Sequence, residues 1–226
     1  MDICKLYHDF YQQKANDKKA DFDRKLISTK FKIKGVKTAD IENFVKFLFN
    51  ERVELDLLPM TCYEDVLIKG FLIAKQKDEN LKKAEIEKLL PFIDNWGSCD
   101  MICSRLKKMD GEEKFFQKLL YSSNPFYKRF GIVWLKNFVL KNDVQKALTK
   151  ILNISDENYY VKMAQAWAVA DGFVFDFEKT FDILKTCKDD FVVRKSISKA
   201  NDSFRITKEN KNILKNYLKV WKEKKC

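Results

Sequence analysis

Apolar residues recur at helical spacing along almost the whole chain. One stripe covers residues 41–48, a second covers 66–74 and a third covers 130–138. In the third stripe the positions follow the i, i+3, i+4, i+7, i+8 pattern that lies on one face of a helix. The pattern therefore predicts a chain of amphipathic helices.

Helix breakers and capping residues mark the boundaries of these helices. The strong breakers fall between the stripes, at Pro59, Pro91 and Gly111. Four helix starts are preceded by residues that commonly cap an N-terminus: Asp94 or Asn95, Asn124 before Pro125, Asp156 or Asn158, and Asp189 or Asp190. We therefore predict that a new helix begins directly after each of these residues.

The predicted helix starts recur at a nearly constant interval. Steps of 31 to 33 residues separate five anchor positions: Tyr63, Asn95, Tyr127, Tyr160 and Phe191. The sequence of 126–134 also aligns with 159–167, and 190–199 continues the match weakly. A repeat of this length with two helices is typical of an α-solenoid. We predict about six HEAT-like antiparallel helix pairs.

The repeats are clearest from residue 60 to 205, so we expect a single domain over 1–226 with a flexible basic tail at 220–226. Composition agrees with an all-α fold, since the 226 residues include only six glycines and three prolines. A β-sandwich or barrel needs many turns, and a glycine-rich nucleotide-binding fold needs its glycines.

The charge balance predicts a polyanionic partner. Lysine and arginine number 44 against 33 acidic residues, which gives a net charge of +11. Such a surplus favours DNA, RNA or an anionic membrane surface, although a merely basic soluble protein remains an alternative. No apolar run is long enough for a transmembrane helix, and residues 1–19 have no signal-peptide core. We expect a cytoplasmic protein with its six cysteines reduced.

Stacked repeats would align Arg129, Lys162 and Arg194 along one face of the solenoid. We interpret this ladder as part of a basic concave face that follows a nucleic-acid backbone. The alternative is that each basic residue orders its own helix or extends into solvent. We also assign Arg105, in the basic run 104–108, and Lys37 to DNA binding.

The sequence offers few residues from which a metal site or a catalytic triad could be built. The only histidine, His8, lies near an N-terminus that we expect to be mobile. Cys99 and Cys103 lie one helical turn apart, but no histidine or second cysteine pair completes a zinc site. We interpret both as buried structural thiols and expect neither a metal nor a cofactor.

Trp96 and Asp100 are four residues apart, so on a helix they share one face. A carboxylate beside an indole stabilises a developing cation through its charge and the ring quadrupole. The alternative is a core tryptophan and a solvated helix acid, and core packing is also the default expectation for Trp134 and Trp167.

Five segments carry a resemblance to a known family: 22–38, 62–75, 89–107, 126–140 and 159–174. The most specific elements are DNW-three-residues-D at 94–100 and YYVKMA-two-residues-W at 159–167. From about Asp17 to the end, the chain resembles the AlkD-like DNA alkylation repair proteins, a family of HEAT-like repeat DNA glycosylases.

The resemblance implies that Trp96, Asp100 and Trp167 cradle a damaged nucleotide and that Arg129 contacts the DNA. It implies excision of cationic alkylpurines, such as 3-methyladenine and 7-methylguanine, by cleavage of the N-glycosidic bond. Asp100 would stabilise the positive charge that grows on the deoxyribose and orient a water, while the two indoles pack against the sugar. The expected partner is double-stranded DNA carrying alkylated bases, bound by a monomer.

The chain departs from the family pattern at two places. In the stretch 26–43, family members carry a short helix that enters the minor groove, but here β-branched residues and lysines prevail and Ala39 replaces a usual proline. Ala170 stands where active members often place a DNA-contacting arginine. The alternative hypothesis is therefore a catalytically weak or inactive nucleic-acid-binding protein of the family. A third is a protein-binding HEAT scaffold.

Overall fold

The computed structural model describes residues 2–106 and 113–223. These residues form thirteen α-helices, and their only β-type pairing is an isolated bridge between Lys32 and Cys62. The all-α prediction is confirmed. The chain divides into two compact units, Met1–Asp110 (unit 1) and Gly111–Cys226 (unit 2).

Unit 1 is built around one central helix. Its described residues form six helices: α1 (Ile3–Lys14), α2 (Asp17–Leu26), α3 (Thr38–Asn50), α4 (Tyr63–Lys75), α5 (Glu79–Leu89) and α6 (Trp96–Cys103). Nearly every residue of α4 is buried, because this helix packs against α3, α5 and α6. At Gly70 the α4 backbone comes so close to α6 that an added Cβ would lie 2.5 Å from Ile102 Cγ1.

The N-terminus differs from the mobile segment that we expected. Asp2 caps α1 by accepting a hydrogen bond from the Lys5 N–H at 3.0 Å. Tyr7 is buried, and the Phe10 ring stacks on Phe44 of α3 with centroids 4.0 Å apart. These aromatic contacts hold α1 on unit 1, and His8 lies on its exposed side.

Between α2 and α3, residues 27–37 form an extended segment that a buried carboxylate holds in place. Glu64 of α4 is almost fully buried and accepts hydrogen bonds from the backbone N–H groups of Lys34, Gly35 and Val36 at 3.0, 2.7 and 3.2 Å. Gly35 has φ +75°, and a Cβ there would lie 2.2 Å from the Asn16 carbonyl oxygen. Glycine is therefore required at this turn.

Unit 2 consists of helix pairs in two layers. Its described helices are α7 (Glu113–Leu119), α8 (Pro125–Phe138), α9 (Val144–Leu152), α10 (Tyr159–Phe175), α11 (Phe177–Thr186), α12 (Asp190–Asp202) and α13 (Lys208–Glu223). In one layer α10 packs between α8 and α12, and in the other α9 packs against α11. Helix α13 continues to Glu223, inside the stretch 220–226 that we expected to be a tail.

The repeat register is confirmed by where alternate helices begin. Tyr63 starts α4 and Asn95 caps α6, while Tyr127, Tyr160 and Phe191 lie within the first three residues of α8, α10 and α12. The predicted caps are also found, since Asn95, Asn124, Asn158 and Asp189 each accept a backbone hydrogen bond through the side chain. Gly111 lies outside the described residues.

The cysteine prediction is confirmed for the pair in α6. Cys99 and Cys103 are fully buried on the side of the helix that faces the core. No disulfide joins the cysteines within residues 2–106 and 113–223. Burial also raises the pKa of the Cys62 thiol to about 12, so this thiol stays protonated near neutral pH.

Candidate functional site

The candidate residues are divided between the two units. Trp96, Asp100, Arg105 and Lys37 belong to unit 1, and a second set belongs to unit 2: Arg129, Lys162, Trp167 and Arg194.

Trp96 is the first residue of α6 and keeps 36% of its surface exposed. Its indole N–H donates a hydrogen bond to the Leu26 carbonyl oxygen at 3.1 Å. Asp100 lies one turn further along the same helix and is half-buried. The predicted Trp–Asp pair is therefore carried by one helix, with the indole fixed in orientation by a backbone acceptor.

The chain that supplies this acceptor is itself held by Asp94. The Asp94 carboxylate accepts hydrogen bonds from the Thr29 hydroxyl and from the Lys30 N–H, both at 2.8 Å. Because Asp94 directly precedes the Asn95 cap of α6, the same short stretch starts the helix and anchors the segment that follows α2. Together these contacts fix the position of the Trp96 ring relative to Leu26.

A small cavity of about 130 Å³ opens beside Trp96 within unit 1. Tyr63 and Leu67 of α4 line it together with Trp96, Gly97 and Met101 of α6, whereas Asp100 is not part of its lining. Gly97 allows close packing here, because an added Cβ would lie 2.9 Å from the Tyr63 hydroxyl oxygen. Burial, reinforced by nearby carboxylates, raises the pKa of the Tyr63 phenol, so the hydroxyl remains a donor.

Arg105 is bound to several partners within unit 1, whereas Lys37 is exposed. The Arg105 guanidinium forms an ion pair with Glu42, donates a hydrogen bond to the Met101 carbonyl oxygen and lies 3.8 Å from the Phe71 ring centroid. Lys37 is exposed at the residue that precedes α3. Of the basic run 104–108, Lys107 and Lys108 lie outside the described residues.

Trp167 and Trp134 occupy equivalent repeat positions but have different environments. Trp134 is buried and stacks on Phe116 with ring centroids 4.4 Å apart, as expected for a core residue. Trp167 is half-buried, and the Lys136 ammonium lies 3.8 Å from its ring centroid. Trp134 therefore packs in the core, and Trp167 is the tryptophan of this pair that borders an open cavity.

This second cavity has a volume of about 360 Å³ and lies wholly within unit 2. Asp171 lies in it one turn after Trp167 and binds Lys136 and Arg205 at 3.2 and 3.1 Å. Phe204 borders the same cavity with 94% of its surface exposed. Sequence reasoning missed these residues, although the Trp167–Asp171 spacing repeats that of Trp96 and Asp100 and was a usable signal.

The three residues of the predicted basic ladder are all bound to partners within unit 2. Arg129 is 5% exposed and donates a hydrogen bond to the Tyr160 carbonyl oxygen at 2.7 Å. Lys162 pairs with Glu157 and with the α12 cap Asp189 at 2.7 and 3.0 Å.

Arg194 pairs with Asp190 on its own helix at 2.9 Å. Arg129 and Lys162 therefore connect successive helices of one layer. This geometry agrees with the alternative in which the basic residues order the helices, and a role in binding DNA stays a prediction.

The described part of the chain has neither a metal cluster nor a membrane-spanning helix. No cluster of three histidine, cysteine or acidic side chains there is arranged to hold a metal ion. Among the same residues, no helix combines the length and the apolar character needed to cross a bilayer.

The fold and the candidate residues define a class of all-α proteins built from stacked helix pairs with a Trp–Asp pair on one helix. The chain belongs to the DNA alkylation repair enzyme family, whose model matches residues 9–198. The matched range begins before Asp17, where the resemblance in the sequence starts, and it ends within α12. It supports a role in DNA alkylation repair and the binding of DNA. Neither a curated protein nor a solved structure shows significant similarity to the chain.

Proposed function

We propose that the protein is a DNA glycosylase that hydrolyses the N-glycosidic bond of cationic alkylated purines, such as 3-methyladenine and 7-methylguanine, in duplex DNA. The observation that carries the proposal is the pair of Trp96 and Asp100 on α6, in a chain of the DNA alkylation repair enzyme family. The indole of that pair is part-exposed and held by the Leu26 carbonyl, so its ring is oriented before any substrate arrives.

The reaction needs few catalytic groups because the substrate base already carries a positive charge. When the C1′–N bond breaks, its electron pair neutralises the departing base and positive charge develops on the deoxyribose. The Asp100 carboxylate stabilises that charge and orients a water. The water oxygen bonds to C1′ and loses a proton to the surrounding solvent, which leaves an abasic site and the neutral free base. Trp96 packs against the sugar, and Trp167 of unit 2 offers a second indole to bound DNA. The proposal includes no metal or cofactor.

The DNA contacts belong to the same proposal. Lys37 and Arg194 have exposed side chains, which can contact a DNA phosphate without any rearrangement of the protein core. Lys162 and Arg105 would contact DNA while they remain bound to their present partners. Arg129 is 5% exposed, so a contact with DNA would require its guanidinium to turn away from the Tyr160 carbonyl. We also propose that the protein acts as a monomer in the cytoplasm. The elution volume in size-exclusion chromatography tests directly whether it is a monomer.

The test is release of 7-methylguanine from methylated duplex DNA. Asp100→Asn keeps the shape of the side chain but removes its charge, and it should lower the single-turnover rate by about 10²–10³-fold. Glu87→Gln is the matched control, since Glu87 is an exposed acid of unit 1 on α5, and it should leave the rate unchanged. Equal release by wild type and Asp100→Asn would disprove the role of Asp100.

A second candidate function is a catalytically weak or inactive nucleic-acid-binding protein. It is favoured by Ala170, which lines the cavity beside Trp167 with a methyl group, and by the extended form of residues 27–37, where no helix is present. It predicts salt-dependent DNA binding without release of any base. Time-dependent, stoichiometric release by the wild-type protein would rule it out.

A further inference from the structure

A groove of about 800 Å³ lies within unit 1 between α3, α4 and α5, here called the α3–α5 groove. Its apolar part includes the rings of Phe49 and Phe71. Five cationic side chains also line it: Lys46, Lys75, Lys77, Lys82 and Arg105. Trp96 and Asp100 do not line the groove, so what it binds is independent of the proposed excision chemistry.

The charge of the groove favours an anion. Two carboxylates line it, Glu42 and Glu79, and Glu42 is already paired with Arg105. The five cations therefore outnumber the acids, and a concave wall of low polarity strengthens the field of such a cluster. Lys46, Lys75 and Lys77 are exposed and free to adjust to a bound group.

Lys82 is the feature that points to a specific ligand. The residue is only 4% exposed, but its ammonium nitrogen keeps contact with solvent, and within residues 2–106 it has no hydrogen-bond acceptor or ion-pair partner. By contrast, Lys88 on the same helix is exposed and pairs with Glu85 at 2.6 Å. The ammonium has little contact with solvent and no protein partner in the described part of unit 1, so an anion in the groove would supply an interaction that its surroundings lack.

The aromatic rings indicate which other chemical group the anionic ligand contains. The Arg105 guanidinium lies over Phe71, and the Lys75 ammonium lies 5.9 Å from the Phe49 ring centroid. The rings hold two cations near the apolar floor, so a ligand with both a phosphate and a flat ring would satisfy the two parts of the groove at once. Phe71 is 3% exposed and covered by Arg105, which leaves the half-buried Phe49 ring as the surface for a base. We propose that the α3–α5 groove binds the phosphate group of a nucleotide through Lys82, with the base against the Phe49 ring.

The first experiment is calorimetric titration of the full chain at low ionic strength with deoxyadenosine monophosphate and, separately, with deoxyadenosine. The monophosphate should bind saturably, and the nucleoside should bind at least about 10-fold more weakly. Lys82→Met keeps most of the buried stem and should weaken binding of the monophosphate by about 10-fold or more. Lys83→Met, one residue along α5 and outside the groove, should change it by less than about twofold.

A second variant and a second probe keep the test decisive. Lys77→Met alters an exposed side chain of the groove and should weaken the monophosphate by about threefold without any change in folding. An undamaged duplex separates the two sources of the phosphate. Loss of duplex affinity in Lys82→Met but not in Lys83→Met assigns the groove to a polynucleotide chain, and unchanged duplex affinity assigns it to a free nucleotide.

Two results would overturn the inference. One is the absence of saturable binding by the monophosphate together with equal duplex binding by all variants. The other is an equal loss of binding in Lys82→Met and Lys83→Met. Because base release is not measured, failure here and failure of the proposed glycosylase activity are separate outcomes.

Discussion

The ammonium nitrogen of Lys136 lies 3.8 Å from the centroid of the Trp167 ring. Lys136 is also bound to Asp171, which Arg205 approaches from the loop before α13. The tryptophan proposed to pack against a cationic nucleotide thus already carries a cation. An alkylated purine near Trp167 must use another part of the ring surface or displace Lys136, because like charges this close repel each other.

We therefore expect Lys136→Met to increase discrimination in favour of damaged DNA. The ratio of the affinities for methylated and unmodified duplex should rise by about two- to fivefold, the size of one cation–π interaction. Fluorescence anisotropy in an Asp100→Asn background measures both affinities without excision. Lys141→Met, an exposed lysine just after α8, should lower both affinities equally. A ratio that is unchanged or reduced in Lys136→Met would contradict the expectation.

Some features of the fold and of the candidate site could be predicted from the sequence, and others could not. Helix starts were predictable because an N-cap such as Asn95 or Asp189 bonds to a backbone only three residues away. The Trp–Asp spacing was equally visible, since it is a property of one helix. Local patterns of this kind determined the all-α class and the repeat register.

Contacts between helices could not be predicted in the same way. Lys136 and Trp167 come together only because α8 packs against α10, and their sequence separation gives no sign of it. Likewise, the charge of Arg129 suggested a surface role, but its hydrogen bond to the Tyr160 carbonyl places it in the interior of unit 2. Composition gives the number of cationic residues in a chain but not how deeply each of them is buried.

The buried Glu64 gives a prediction about the segment between α2 and α3. Glu64→Gln replaces one acceptor oxygen with an amide donor that faces the N–H groups of Lys34, Gly35 and Val36. We expect the free energy of unfolding in urea to fall by about 2–3 kcal/mol. Glu87→Gln, at an exposed position of α5, should change it by less than about 0.5 kcal/mol. Equal urea midpoints for the two variants would contradict the role given to Glu64.

The close approach of α4 and α6 gives a second prediction about stability. Gly70→Ala would push α4 away from Ile102 on the helix that bears Trp96 and Asp100, and should cost about 1–3 kcal/mol. In the double variant with Ile102→Ala, the added methyl occupies the space left by the smaller side chain. We therefore expect the double variant to be more stable than the sum of the two single effects.

Urea unfolding of the two single variants and the double variant measures this coupling, which should be about 0.5–3 kcal/mol. Gly70→Ala combined with Ile151→Ala in unit 2 is the control. These two sites belong to different units, so their effects should add. Strict additivity in both pairs would show that Gly70 is not constrained by Ile102.

The acid stability of unit 2 should depend on the carboxylates that precede α10 and α12. Burial alone would raise the pKa of Asp189, but the hydrogen bond from the Val192 N–H and the Lys162 ammonium outweigh burial and hold the pKa below the usual 3.8. Asp156 is shifted in the same direction, because Lys128 and the Asn158 N–H outweigh the effect of burial. A carboxylate with a lowered pKa stabilises the fold above its usual pKa and loses that effect as the pH falls through the lowered value.

The urea midpoint should therefore be nearly constant from about pH 6 to pH 5 and fall below about pH 4. Lys162→Met removes the cation beside Asp189, so the pKa of Asp189 should return toward its usual value and the acid-dependent fall should become smaller. Lys215→Met, an exposed lysine of α13, is the control and should reproduce the wild-type profile. If Lys162→Met and Lys215→Met lose stability along the same pH curve, the Lys162–Asp189 pair does not contribute to acid stability.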